Sequence, residues 1–169
     1  MAAQGFFTTI AGMSLSLAGF ASLIAWLRDD QTRWDVITLW RVKTIVRHAL
    51  TLLAISLGLI PVHALAGDEA TTIRIGAAAL FAFTAAEAAR HRRRAPSVWP
   101  SATVWRINMG SSAVYLAFYA VTMAIASIGM LQLGLLLALM EPAGIFYNFV
   151  SELGTTAPHT GSVVESETD

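Results

Sequence analysis

The chain has 169 residues, 56% of them hydrophobic and 13% charged, with eleven basic side chains balanced by eleven acidic ones and no cysteine. Soluble domains carry about 25% charged residues, so the composition leaves too little charge for a water-facing surface and points to one membrane domain. The absence of thiols excludes disulfides, thiolate metal sites, iron–sulfur clusters and covalently attached c-type haem.

A bilayer span needs about 20 mostly apolar residues to cross about 30 Å of hydrocarbon. Residues 6–27 meet this with no charge, and they run straight into Trp26-Leu27-Arg28-Asp29 without a small-residue cleavage site. That pattern predicts a retained helix, not a signal peptide. From Arg28 to Arg47, charges alternate with Trp34, Val36, Ile37, Leu39 and Trp40, an amphipathic pattern that either lies on the inner leaflet or continues the second span. The second span covers about 45–67, with Lys43 and Arg47 snorkelling to the interface, and the third covers about 71–90.

No charge occurs between Ile107 and Met140, and only Glu141 interrupts the run before Glu152. As one helix to Ser151 this stretch would extend about 65 Å, twice the bilayer, so it has to fold back. The sequence predicts the turn at Ser127-Ile128-Gly129-Met130, between spans near 107–127 and 131–151. The alternative is four spans plus an interfacial segment, with the fourth helix ending near Leu133. Residues 154–169 are acidic and rich in Ser and Thr, which predicts a disordered tail. The expected fold is therefore all-α, a polytopic transmembrane bundle of about five helices over residues 1–153.

Arg28, Arg33, Arg41, Lys43 and Arg47 fall between the first two spans, and Arg90, Arg92, Arg93, Arg94 and Arg106 between the third and fourth; Arg74 lies elsewhere. By the positive-inside rule these loops are cytoplasmic, the N-terminus is outside and the C-terminus inside. Trp26, Trp34, Trp40, Trp99 and Trp105 cluster near the same loops, as an aromatic belt would. The expected location is a bacterial cytoplasmic (inner) membrane, crossed several times.

Four residues are candidates for an ion or proton pathway. Glu141 falls near the middle of the fifth span, where a charge costs a few kcal/mol or more, and Pro142 after it removes a backbone donor and frees the carbonyl of Ala138. A carboxylate at a broken helix is how membrane proteins build cation or proton sites; the plainer reading is a helix end in headgroup water. Glu87 has Arg90 and His91 at i+3 and i+4, which satisfies it locally, or else it marks the inner mouth of a pathway. His63 follows Pro61 near the outer end of the second span, either as an interfacial residue or as a pH sensor.

No cofactor is expected. His48 and His63 lie about 22 Å apart on one helix, too far to share a haem iron, and Lys43, the single lysine, sits at a helix edge unsuited to retinal. The sequence carries no metalloprotease helix, phosphate loop or nucleophile elbow, so no enzyme is predicted. Small residues form candidate packing seams at Gly12, Ser16 and Gly19, at Ala78, Ala82 and Ala86, at Ala85 and Ala89, and at Ala113, Ala117, Ala120 and Ala124. They either hold the monomer together or pack protomers. Arg90, Arg92, Arg93 and Arg94 form a block for anionic lipid or a protein partner; nucleic acid is not an expected partner.

The opening Phe6-Phe7-Thr8-Thr9-Ile10-Ala11-Gly12, followed by Leu17-Ala18-Gly19-Phe20, resembles the start of small uncharacterised bacterial multi-span inner-membrane proteins. The resemblance covers one helix, implies a prokaryotic inner-membrane protein and transfers no functional residue. From the residues, the first expectation is a homo-oligomeric ion channel or proton-linked pore with Glu141 in the path. The alternative is a non-catalytic scaffold or accessory subunit that anchors a partner through its basic cytoplasmic loops.

Overall fold

Charge-free runs of this length satisfy their backbone groups internally only as helices. The computed structural model describes residues 4–28, 36–93 and 102–155, and it is helical there except at two short reversals. The helices are α1 (Gln4–Arg28), α2 (Val36–Ala66), α3 (Glu69–Arg93), α4 (Ala102–Ile125) and α5 (Ile128–Thr155). All five are long and apolar enough to cross a membrane, the make-up of a multi-pass membrane protein. The stretch before the second apolar run continues as α2 from Val36. Most of the acidic tail expected at 154–169, together with Arg94, lies outside the described residues.

The first reversal follows capping chemistry. Gly67 takes a φ of 65°, and its N–H reaches the carbonyl of His63 at 3.0 Å, the left-handed stop that glycine adopts without strain. Asp68 then caps α3, accepting from the amides of Ala70 at 3.2 Å and Thr71 at 2.8 Å and from the Thr71 hydroxyl at 2.6 Å. The Thr71 hydroxyl and amide hold its carboxyl below the ordinary value. The cap is therefore in place at neutral pH and is lost as pH falls through that lowered pKa.

The second reversal falls at Ala126 and Ser127, so Ile128, Gly129 and Met130, expected in the turn, form the first turn of α5. Ala126 supplies the left-handed residue with a φ of 54°, a conformation that costs an alanine about 1 kcal/mol or more. Packing of Ala126 and Ile128 against the core holds it there. Because α4 stops at Ile125, the single long fourth helix does not form. Pro61 and Pro142 sit inside α2 and α5, and neither ends its helix.

Consecutive helices run antiparallel. α2 packs against α1, α3 and α5, and α3 against α4 and α5. One end of the bundle gathers Arg41, Lys43, Arg47, Arg90, His91, Arg92, Arg93 and Arg106; the far end carries Asp68, Glu69 and Arg74. The surface is inverted relative to a soluble protein: Met13, Phe20, Trp26, Leu65, Ile107 and Val114 point outward, whereas Ser14, Thr44, His48, Ser56, Thr72 and Glu87 are buried. Toward the far end the interior is apolar, built from Phe7, Ile10, Leu52, Leu59, Ile73, Leu80, Leu131 and Leu135.

Close helix approach comes from glycines facing large neighbours. A Cβ at Gly76 would lie 2.9 Å from Leu59 Cδ2, and one at Gly134 would lie 3.0 Å from Tyr119 Cε1 and 3.3 Å from Phe118 Cε1. By contrast, Gly12, Gly19, Ala78, Ala82, Ala113, Ala117, Ala120 and Ala124 are exposed. Most of the sequence-predicted seams thus face outward and do not hold the monomer together. Gly134→Ala is expected to destabilise by about 1 to 3 kcal/mol, because two packed rings have to move. Gly58→Ala, with nothing within 4 Å of its Cβ, is expected to be neutral or to gain roughly 0.5 to 1 kcal/mol of helix propensity. Thermal unfolding in detergent compares the two.

Candidate functional site

Among the described residues, the buried His48, Glu87 and His91 and the partly exposed Glu141 lie from mid-bundle toward the basic end, on three helices. α2 presents Thr44, Arg47 and His48 within little more than one turn. His48 shares the 4-and-3 spacing of Leu52, Ile55 and Leu59, and it is 1% exposed. Its Nδ1 lies 2.9 Å from the Thr44 carbonyl. A carbonyl only accepts, so Nδ1 carries the hydrogen and Nε2 is left with its lone pair free of that contact. The ring stands edge-on to Phe83 of α3, with centroids 4.9 Å apart.

His48 Nε2 faces α5, where Glu141 Oε1 lies 3.8 Å away with its side chain 31% exposed. Glu141 follows the start of α5 by about 20 Å of helix, close to the middle of the span. Pro142 beside it is buried and has no N–H, which leaves the Ala138 carbonyl without its helical donor. The separation is about 1 Å longer than a hydrogen bond.

One turn toward the basic end, Glu87 of α3 is buried between two cations. It accepts from Arg47 Nη2 at 2.6 Å and pairs with Arg90 Nη1 one turn along its own helix. Arg47 therefore ties α2 to α3, with its Nε buried and without a hydrogen-bond partner among the described residues. Trp40 and His91 meet edge to face at the same end, with centroids 5.9 Å apart.

α4 contributes Asn108, Ser112, Tyr115 and Tyr119 at spacings that keep them on one face. The Tyr119 hydroxyl donates to the Gly134 carbonyl of α5 at 3.2 Å and interacts with the side chain of Thr84 on α3. Asn108 Oδ1 is buried without a partner among the described residues. Counted from the α4–α5 reversal, Ser112 and Glu141 are both about 21 Å along their helices. This polar stripe therefore runs from the basic end past the level of Glu141 to Tyr119, about 10 Å from the reversal.

Of the sequence candidates, Glu141 and Pro142 belong to this region and Glu87 borders it. His63 stands apart at the far end, with Nδ1 3.2 Å from Thr72 Oγ1 and Leu52 and Leu59 between it and His48. Arg90 is drawn into the Glu87 pair, while Arg92 and Arg93 are exposed. Sequence reasoning missed His48, considered only as a haem ligand, and the Arg47–Glu87 contact, since Arg47 had been assigned to snorkelling. For His48 the signal was its place on the apolar stripe of α2. Among the described residues, no group of three or more His, Cys, Asp and Glu is arranged to hold a metal. Searches against protein-family models, curated proteins and solved structures find no match for the chain.

Proposed function

We propose that the protein is a proton-linked pore of a bacterial inner membrane, assembled from several copies, with its N-terminus outside and its C-terminus in the cytoplasm. His48 and Glu141 form the site that takes up and releases the proton. The observation that carries this reading is the buried His48 Nε2 facing Glu141 Oε1 at 3.8 Å in the middle of apolar helices, where ionisable groups are costly to keep without a task. The orientation rests on the gathering of basic residues at one end.

In this reading the polar face of α4 and the Arg47–Glu87–Arg90 group line an approach from the cytoplasm. The apolar layer of Phe7, Ile10, Leu59, Ile73 and Leu131 closes the outer half of each chain. A proton crossing the membrane therefore leaves the single bundle at Glu141, whose partly exposed carboxyl meets the boundary between protomers. The exposed stripe of Gly5, Thr9, Gly12, Ser16 and Gly19 on α1 supports that assembly, because small residues let helices in lipid approach closely.

The test is reconstitution of the purified protein into liposomes loaded with a pH-sensitive dye, with a potassium-diffusion potential as driving force. Dye acidification well above that of empty liposomes is the expected result, together with an oligomer in nanodiscs. A monomer that leaves the proton leak unchanged would overturn the proposal. The exposed Arg92 and Arg93 favour a second reading, a scaffold that docks an acidic partner at the inner face. Co-purification with such a partner, lost on neutralising Arg92 to Arg94, is its signature.

A further inference from the structure

An open groove of about 780 Å3 runs along one side of α2, lined by Val42, Lys43, Val46, Arg47, Leu50, Thr51, Ala54 and Ile55. Its size falls within the roughly 300 to 1,000 Å3 of ordinary ligand clefts. From Val42 to Ile55 the helix rises about 20 Å, somewhat more than one leaflet of a bilayer with a hydrocarbon core of about 30 Å. The apolar lining begins at the basic end and stops near mid-bundle, and both cations, Lys43 and Arg47, lie in the basic-end half.

We propose that this groove binds one anionic glycerophospholipid of the inner leaflet, its phosphate at Lys43 and Arg47 and one acyl chain along Val46, Leu50, Ala54 and Ile55. The inference rests on the membrane orientation proposed above. Three features select this occupant. The groove is open to the surroundings along the exposed Lys43, Leu50 and Ala54, where a membrane presents only lipid or another chain. The cations stand where an anionic leaflet places its phosphates. The Arg47 guanidinium gives Nη2 to Glu87, yet its side chain stays 35% exposed and lines the groove, within reach of an acceptor that enters from it. A bound headgroup would thus touch the same arginine that ties α2 to Glu87.

Native mass spectrometry of the full-length protein, titrated with phosphatidylglycerol or with phosphatidylcholine of the same acyl chains, tests the site. One phosphatidylglycerol is expected to bind at least tenfold more tightly than phosphatidylcholine. Lys43→Gln should weaken it about fivefold, the scale of one basic side chain at an anionic surface, and leave phosphatidylcholine unchanged. Leu50→Trp, a change at an exposed position that fills the groove, should remove the preference while the melting temperature holds. Charge-neutral Arg92→Gln with Arg93→Gln should leave the preference intact. The proposal is overturned if that double variant abolishes the preference, or if neither Lys43→Gln nor Leu50→Trp alters it. A protein that fails to enter vesicles at all would instead refute the membrane reading on which it rests.

Discussion

Glu87→Ala is expected to lower the unfolding free energy by about 2 to 3 kcal/mol. Breaking a fully buried ion pair by deleting one partner costs about 3 to 5 kcal/mol, because the surviving charge is stranded in a low dielectric. Here the carboxylate is 6% exposed while Arg47 is 35% and Arg90 52% exposed, so both cations retain access to water or headgroups and the loss falls below that range. Arg47→Met alone should cost less than Glu87→Ala, since Glu87 keeps Arg90. The double variant Arg47→Met with Glu87→Leu should recover much of the loss, because it leaves no charge unpaired between α2 and α3. Unfolding in mixed micelles, read by tryptophan fluorescence, measures all three. A Glu87→Ala protein as stable as the parent would mean that the Arg47 contact holds nothing together.

The contrast between the two partners of Glu87 explains how much of this protein was readable beforehand. Arg90 stands three residues away on the same helix, so its pairing with Glu87 follows from helical spacing alone. Arg47 stands on another helix, and only the antiparallel register of α2 and α3 brings it within 2.6 Å. The five helices were readable for a local reason too, since each depends on the presence or absence of charge within its own run. The final reversal was placed a little late because Gly129 is the usual turn signal, whereas the core contacts of Ala126 and Ile128 hold the left-handed residue at Ala126.

The reading of the small-residue seams as what holds the monomer together failed for a related reason. Gly12, Ser16 and Gly19 have the spacing of a helix interface, but spacing cannot say which face of a helix meets a neighbour. The glycines that do permit close approach, Gly76 and Gly134, are identified by what stands opposite them, Leu59 with Leu131 and Tyr119 with Phe118. His48 lay on a visible apolar stripe, yet its meaning depends on Glu141 across the bundle. Burial of a residue on a stripe is a property of sequence, whereas the identity of its partner is a property of the assembled helices.

Glu141→Gln should reduce proton flux into liposomes at least tenfold while changing the melting temperature little. Glutamine keeps the size of the glutamate and a carbonyl acceptor but cannot bind or release a proton near neutral pH. The Glu141 side chain is 31% exposed and stands 3.8 Å from His48 Nε2, so the change breaks no hydrogen bond between them. His48→Gln should lower flux by a similar factor, and the double variant by little more than either single change, since both residues serve one site and their effects are not additive. His63→Gln, at the far end against Thr72, should leave flux within about twofold of the parent if the outer half of each bundle stays closed, because a group outside a coupled pair contributes independently. Losses at Glu141 and His48 that multiply in the double variant would mean that the two residues act independently, and would break the pair as a functional unit. Undiminished flux in Glu141→Gln would remove the carboxylate from the path altogether.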